Sequence, residues 1–120
     1  MVNERPHKKL LVWQKAVDMV IQIYEITNAF PRQEEFGLKS QLRRAAVSVP
    51  SNIAEGLTRK SNNDRVHFLN ISQSSLSEID TQVEIAFRLK YLAKETYESV
   101  VNNLIEVQKL LSGLSRNLEK

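Results

Sequence analysis

The side chains that could do chemistry in this 120-residue chain are few, and their spacing limits what they can do. There are two histidines, His7 and His67, and no cysteine, which excludes thiolate metal sites, disulfide frameworks and cysteine nucleophiles. Glu78, Asp80 and Glu84 form the notable carboxylate cluster. Metal sites of the di-iron bundle type need two Glu-x-x-His motifs on facing helices; the one such spacing, Glu4 to His7, precedes the first helical stripe and has no counterpart, so this cluster reads as a solvated or arginine-paired face. The serines of Gln73-Ser74-Ser75-Leu76-Ser77 have no histidine or lysine at helical spacing to activate them. Close helix packing and bonding to i−4 carbonyls are their expected roles. His67 and Glu55 could face each other, as a surface ion pair rather than a general-base dyad. No HExxH, Walker loop or glycine-rich phosphate turn occurs. The chain is therefore expected not to be an enzyme and to carry no cofactor or metal.

Basic groups are the better candidates for function. Lys8 and Lys9 lie near the start of the chain, and Arg59, Lys60 and Arg65 lie close together fifty residues later. Brought to one surface they would bind phosphates by counterion release, with strong salt dependence. Aromatic residues are not interleaved with them, which argues against base stacking on single strands. The net charge is +3, and its sign alternates along the chain: basic over 1–15, acidic over 16–37, basic over 38–65, acidic over 66–86 and basic over 87–120. That pattern suits attraction between segments as well as anion binding.

The elements that must position these groups read as helices. Three glycines and three prolines are too few for an all-β chain with a turn every 8–12 residues. Leu10, Trp13, Val17, Val20, Tyr24 and Thr27 recur at helical spacing, with Ala16, Ile21 and Ile23 widening the stripe; Phe30-Pro31 ends the segment. A second stripe runs Leu38, Leu42, Ala45, Val49, Asn52 and Gly56. A third opens at Ser61, with Asp64 three residues on as in a capping box, and passes through Phe68, Ser72, Leu76, Ile79, Val83, Ala86 and Leu89. The fourth is a clean heptad, Tyr97, Val100, Leu104, Val107, Leu111, Leu114 and Leu118. The periodicity thus predicts one domain over residues 1–120: an all-α, antiparallel up-down-up-down four-helix bundle with helices at about 10–29, 38–60, 63–92 and 94–118. Short connections force antiparallel neighbours, and helices of this length span about 30–40 Å at 1.5 Å per residue.

The second segment, QLRRAAVSVPSNIAEG, contains a proline, yet the hydrophobic phase continues through Pro50. A kinked but continuous helix follows, in which the Ala46 carbonyl loses its backbone donor. Leu42, Ala45, Ala46, Val49, Ile53 and Gly56 fall on its core face. Arg43, Val47, Pro50 and Ala54 fall on a second arc that an isolated bundle leaves uncovered, and surfaces of that kind become subunit contacts. If helices two and three fold back near Lys60, Arg44 lies opposite Glu78, and Asn52 opposite Asn70, so an Arg44–Glu78 ion pair is expected. The turn between helices two and three should also lie near the start of helix one, which gathers Lys8, Lys9, Arg59, Lys60 and Arg65 at one basic end.

The opening MVNERPHKKLLVWQKAVDMVIQIY is basic and then apolar, but Gln14, Lys15, Asp18 and Gln22 interrupt the run. It reads as neither signal peptide nor spanning helix, and the expected location is the cytoplasm, away from membranes.

The segments LVWQKAVDMV, FGLKSQLRRAAVSVPSNIAEG and FLNISQSSLSEIDTQVEIAFRLKYL closely resemble the four-helix-bundle proteins encoded in intervening sequences of bacterial 23S rRNA genes, which carry a ribosomal-protein label. The resemblance covers about residues 8–115. It implies a homopentamer of four-helix protomers with no enzymatic activity. It also implies kinship with the accessory variability proteins of diversity-generating retroelements, basic pentameric barrels that contact nucleic acid and a reverse transcriptase. Ser72 and Ser74 stand where the family commonly has Ala and Gly, a departure expected to alter local packing. Two functions are then expected to compete: a homo-oligomer binding rRNA or other structured RNA or DNA, and a scaffold whose charged faces bind a protein partner without touching nucleic acid.

Overall fold

The computed structural model describes residues 6–119. A single 3-10 turn, Pro6–Lys9, leads into α1 (Leu11–Thr27); α2 (Leu38–Leu57), α3 (Asn62–Arg88) and α4 (Lys94–Glu119) follow, and a second 3-10 turn, Arg32–Glu34, sits between α1 and α2. Each helix packs on its chain neighbours and α1 closes the square against α4, with no diagonal contact. Every seam is antiparallel, because pairing numbers rise on one helix as they fall on the other. Across α2 and α3, Ser48 meets Ser75 and Val49 meets Ser72; across α1 and α4, Lys15 meets Glu106 and Gln22 meets Ser99. The result is the expected up-down-up-down bundle, 43 × 31 × 24 Å.

The core follows the predicted faces on α2 and α4. Leu42, Ala45, Ala46, Val49 and Ile53 are buried on one helix, and Val100, Leu104, Val107 and Leu111 on the other. Burying each large side chain stabilises the fold by about 1.5–3 kcal/mol. On α1 the buried line is Val12, Ala16, Met19, Ile23 and Thr27, one residue round from the expected Trp13–Val17–Val20–Tyr24 stripe. Tyr24 is in fact exposed and Trp13 half-buried. The cause is that α1 is apolar on most of its circumference, so periodicity alone admits more than one face. On α3, Leu69 replaces Phe68 as the buried residue and Leu89 is exposed.

Three helices stop earlier than the pattern suggests: α1, expected to about residue 29, ends at Thr27. The second stripe was expected to run to about residue 60, but α2 ends at Leu57, where Thr58 N–H and Arg59 N–H turn back onto the Glu55 and Gly56 carbonyls. The third was expected to reach 92, but α3 ends at Arg88. There Lys90 takes a left-handed conformation (φ 68°) while Tyr91 N–H bonds the Ala86 carbonyl and Lys90 N–H bonds that of Phe87. This is a Schellman closure with lysine at the position that glycine usually holds. Pro50 lies inside α2 without ending it. It is buried, and the hydroxyl of Ser72 donates to the neighbouring Val49 carbonyl at 2.8 Å.

Candidate nucleic-acid interface

The α2–α3 turn is built from short-range bonds that hold its cations in place. Ser61 caps α3 by accepting from Asp64 N–H at 3.1 Å, as its spacing predicted. Gly56 permits the close approach of the two helices, since a Cβ there would stand 3.2 Å from both the Arg65 carbonyl and Phe68 Cβ. The Arg59 guanidinium lies over the Phe68 ring at 4.6 Å and donates to Glu55 Oε2 at 2.8 Å. Arg65 donates through Nε to the Arg59 carbonyl at 2.8 Å and through Nη1 to Asn62 Oδ1. Arg65 thus fastens the turn without meeting a carboxylate among the described residues, and Lys60 stands exposed at its tip.

The same end receives the start of the chain. The Pro6–Lys9 turn packs on both α1 and α2. Leu10 N–H bonds the His7 carbonyl, Gln14 Nε2 donates to the Lys8 carbonyl at 2.8 Å, and the His7 ring meets Trp13 edge-on. Lys9 is exposed and Lys8 half-buried. Lys8, Lys9, Arg59, Lys60 and Arg65 are therefore placed at one end of the bundle. Arg116 joins them from the last turn of α4, which antiparallel topology brings to that end. Sequence reading overlooked Arg116; counting the direction of the fourth helix would have found it. Of the six, Arg59 alone has an ion pair among the described residues.

The Arg43, Val47, Pro50 and Ala54 patch is smaller than the helical arc suggested. Arg43 turns back onto the end of α1, donating to Thr27 Oγ1 at 2.9 Å, the Tyr24 carbonyl at 3.1 Å and Asn28 Oδ1 at 2.9 Å. Its guanidinium also lies 4.4 Å from the Tyr24 ring centroid. A cation here satisfies carbonyls that a helix C-terminus leaves without partners. Pro50 is buried within the protomer, Ala54 is half-buried, and Val47 is the exposed apolar member.

Arg44 and Glu78 line one groove between α2 and α3, as the fold-back predicted, but they form no ion pair. Both are exposed, where a bridge contributes little. The seam is held instead by serines, Ser75 Oγ to Ser48 Oγ at 2.8 Å and Ser72 Oγ to the Val49 carbonyl. Both bonds cross between helices, and for Ser75 this corrects the expected i−4 carbonyl role. Asn52 likewise donates to the Ser48 carbonyl rather than meeting Asn70. Glu55 is held by Arg59 and Thr58, not by His67, whose ring lies against Phe68.

In the carboxylate cluster, Glu84 accepts from the Tyr97 hydroxyl and from Arg88 Nε. These bonds, the tyrosine's first, hold its carboxyl below the usual carboxylate range, and the same bond raises Tyr97 above an ordinary phenol. Among the described residues no group of three or more His, Asp or Glu side chains is placed to hold a metal ion, and no helix is long and apolar enough to cross a membrane.

A family model described as 23S rRNA-intervening sequence protein matches residues 8–113, nearly the whole bundle. The chain belongs to that family. A solved structure from the S23 ribosomal protein family, a protein of unknown function from Bacteroides thetaiotaomicron, shares the family's architecture. It superimposes with a TM-score of 0.81 at 28% identity, over 88% of this chain and 98% of that one. No curated protein matches the chain. The matched region of the family includes the whole basic end except Arg116.

Proposed function

We propose that this member of the 23S rRNA-intervening sequence protein family is a non-enzymatic subunit of a homo-oligomer, five-membered as the sequence resemblance implies, whose basic ends bind structured RNA or DNA. The observation that carries the reading is the gathering of Lys8, Lys9, Lys60 and Arg65 at one end of the bundle with no carboxylate partner among the described residues. Cations left without partners in the protomer release counterions when they meet phosphate.

Assembly is supported by exposed apolar side chains on all four helices. Ile21 and Tyr24 belong to α1, Val47 to α2, Ile85 to α3 and Ile105 to α4, with Leu89 just past the end of α3. A ring closed by head-to-tail contacts needs two different patches on each protomer. Cyclic symmetry would then repeat the basic end along one rim.

Fluorescence anisotropy with duplex RNA and duplex DNA tests the binding, using Lys9→Glu with Lys60→Glu, since neither side chain props up the turn. The paired charge reversal should weaken binding at least tenfold; equal binding by wild type and variant rejects the basic end. Light scattering tests assembly, and a 13.8 kDa species at micromolar concentration would reject the oligomer.

A further inference from the structure

The seam between α2 and α3 opens on the flank of the bundle into a groove of about 390 Å³ whose lining carries one cation and one anion that do not pair with each other. Gln41, Arg44 and Ser48 line it from α2, and Ser75, Glu78 and Gln82 from α3. From Gln41 to Ser48 it spans about 10 Å at 1.5 Å per residue. Antiparallel register orders these groups along it: glutamine amides at one end, the charged pair in the middle and hydroxyls at the other. Several of them have bonding capacity to spare. Neither Arg44 nor Glu78 forms an ion pair among the described residues. Gln82 Oε1 is screened from solvent and has no hydrogen-bond partner among the described residues, a state that costs free energy until a donor arrives. Ser48 Oγ accepts from Ser75 Oγ at 2.8 Å and from Asn52 Nδ2 at 3.0 Å, which leaves its own hydroxyl hydrogen to donate into the groove. Ser75 is buried, so this hydroxyl pair is a fixed part of the floor.

The chemistry of the lining selects its ligand. Its two charges cancel, and nearby charges on the same helices are engaged elsewhere: Lys39 by Glu35, Arg43 by the end of α1, and Glu84 by Arg88 and Tyr97. A phosphate would meet Glu78 and a polycation would meet Arg44, so a ligand of one sign suits only one wall. The Arg44 fork matches a carboxylate through two parallel bonds. Glu78 and the Gln82 amide oxygen match two of the three N–H donors of an ammonium, the Gln82 amide turning outward to meet it. Ala45 is the one apolar residue in the lining and is buried, so the rest of the ligand meets hydroxyls rather than an apolar wall. We infer that this groove binds a free zwitterionic α-amino acid with a polar side chain. Its carboxylate lies on Arg44, its ammonium between Glu78 and Gln82, and its side chain accepts from the Ser48 hydroxyl. Lys60 and the other cations of the basic end do not line the groove, so this site and the phosphate-binding surface can each fail without the other.

Saturation-transfer difference NMR on the full chain, with L-glutamine as the probe, tests this. The signal should saturate with a Kd on the order of 1 mM, as suits a small ligand held by a few charge-assisted bonds at an open site. N-acetyl-L-glutamine, which lacks the ammonium, and L-glutaminamide, which lacks the carboxylate, should each bind at least tenfold more weakly. Arg44→Gln and Glu78→Gln, both at exposed positions, should each weaken L-glutamine at least tenfold. Each should also lose one discrimination: Arg44→Gln that between L-glutamine and L-glutaminamide, Glu78→Gln that between L-glutamine and N-acetyl-L-glutamine. A merely structural role would not separate the two. Lys60→Glu, at the basic end, should leave binding within twofold, and circular dichroism confirms that each variant is folded. Three results would overturn the proposal: no saturable signal from the wild-type chain up to about 20 mM L-glutamine, equal binding of the two blocked compounds by the wild-type chain, or variants that bind and discriminate as the wild type does.

Discussion

Arg43 is the residue whose role the fold redefines most, and truncating it measures that redefinition. In Arg43→Ala the charge-assisted bond to Thr27 Oγ1 is lost. It is half-buried and Thr27 is fully so; a loss of about 1.5 kcal/mol is expected, at the lower end for bonds to charged groups. The exposed bonds to the Tyr24 carbonyl and Asn28 add about 0.5 kcal/mol together. The stack on Tyr24 adds about 0.5 kcal/mol more, as for an exposed cation–π contact. Urea unfolding at fixed protein concentration should therefore show a loss of about 2.5 kcal/mol, with a midpoint temperature lower by roughly 10 °C for a domain of this size. Arg43→Lys should lose more than half as much, because a single ammonium cannot reproduce the fork. A loss under about 0.5 kcal/mol for Arg43→Ala, within the range of ordinary surface substitutions, would refute the helix-closing role. A lower subunit number than wild type by light scattering, alongside that small loss, would return Arg43 to the proposed subunit interface.

Lys90→Gly should stabilise the fold by about 1 kcal/mol, since glycine occupies the left-handed region without the cost a side chain meets there; differential scanning calorimetry checks it. Pro50→Ala should also stabilise, by about 1 kcal/mol in urea unfolding. Relief of about 3 kcal/mol of helix cost outweighs the roughly 1.6 kcal/mol lost with two buried methylenes. Its subunit number by light scattering should not change, because Pro50 is buried in the protomer. Tyr97→Phe should destabilise fully between the unfolded pKa values of Glu84 and Tyr97, and approach wild type only as pH falls through the lowered Glu84 pKa or rises through the raised Tyr97 pKa. A lowered Glu84 contributes stability present above its unfolded pKa and lost as pH falls through the folded one, while a raised Tyr97 contributes stability present below its unfolded pKa and lost as pH rises through the folded one. A stability difference that is flat with pH would remove the Glu84–Tyr97 bond from the account.

The bundle was legible because α4 carries one narrow apolar stripe flanked by polar residues, and because the buried residues of α2, Leu42, Ala45, Ala46, Val49 and Ile53, keep one helical phase through Pro50. On α1 phase does not fix the face: Val12, Met19 and Ile23 compete with Trp13, Val17 and Val20, and only packing against α2 and α4 chooses between them. The basic end was legible too, because chain direction alone brings Lys8 and Lys60 together. What sequence could not reveal was how side chains spend their bonds. Arg43 sits on the outward arc by angle, yet a long guanidinium reaches back to Thr27, whereas Arg44 and Glu78 face one another by register and still do not meet. Reach and solvation, not helical phase, settle such cases. Phe36 carried no periodic signal at all, since it lies in a connection, and its exposure emerges only with the fold.

The most direct measurement is the affinity of the wild-type chain for duplex RNA and duplex DNA as salt rises from about 50 to about 200 mM. With Lys8, Lys9, Lys60 and Arg65 contributing from a single basic end, the plot of log affinity against log salt should fall with a slope of roughly −3 to −4, since each neutralised phosphate contributes about −0.9. It should be steeper if several ends engage one duplex, and shallower by about 2 in Lys9→Glu with Lys60→Glu. A wild-type chain that binds neither duplex at the lowest salt, or whose slope the charge reversals leave unchanged, would contradict the account.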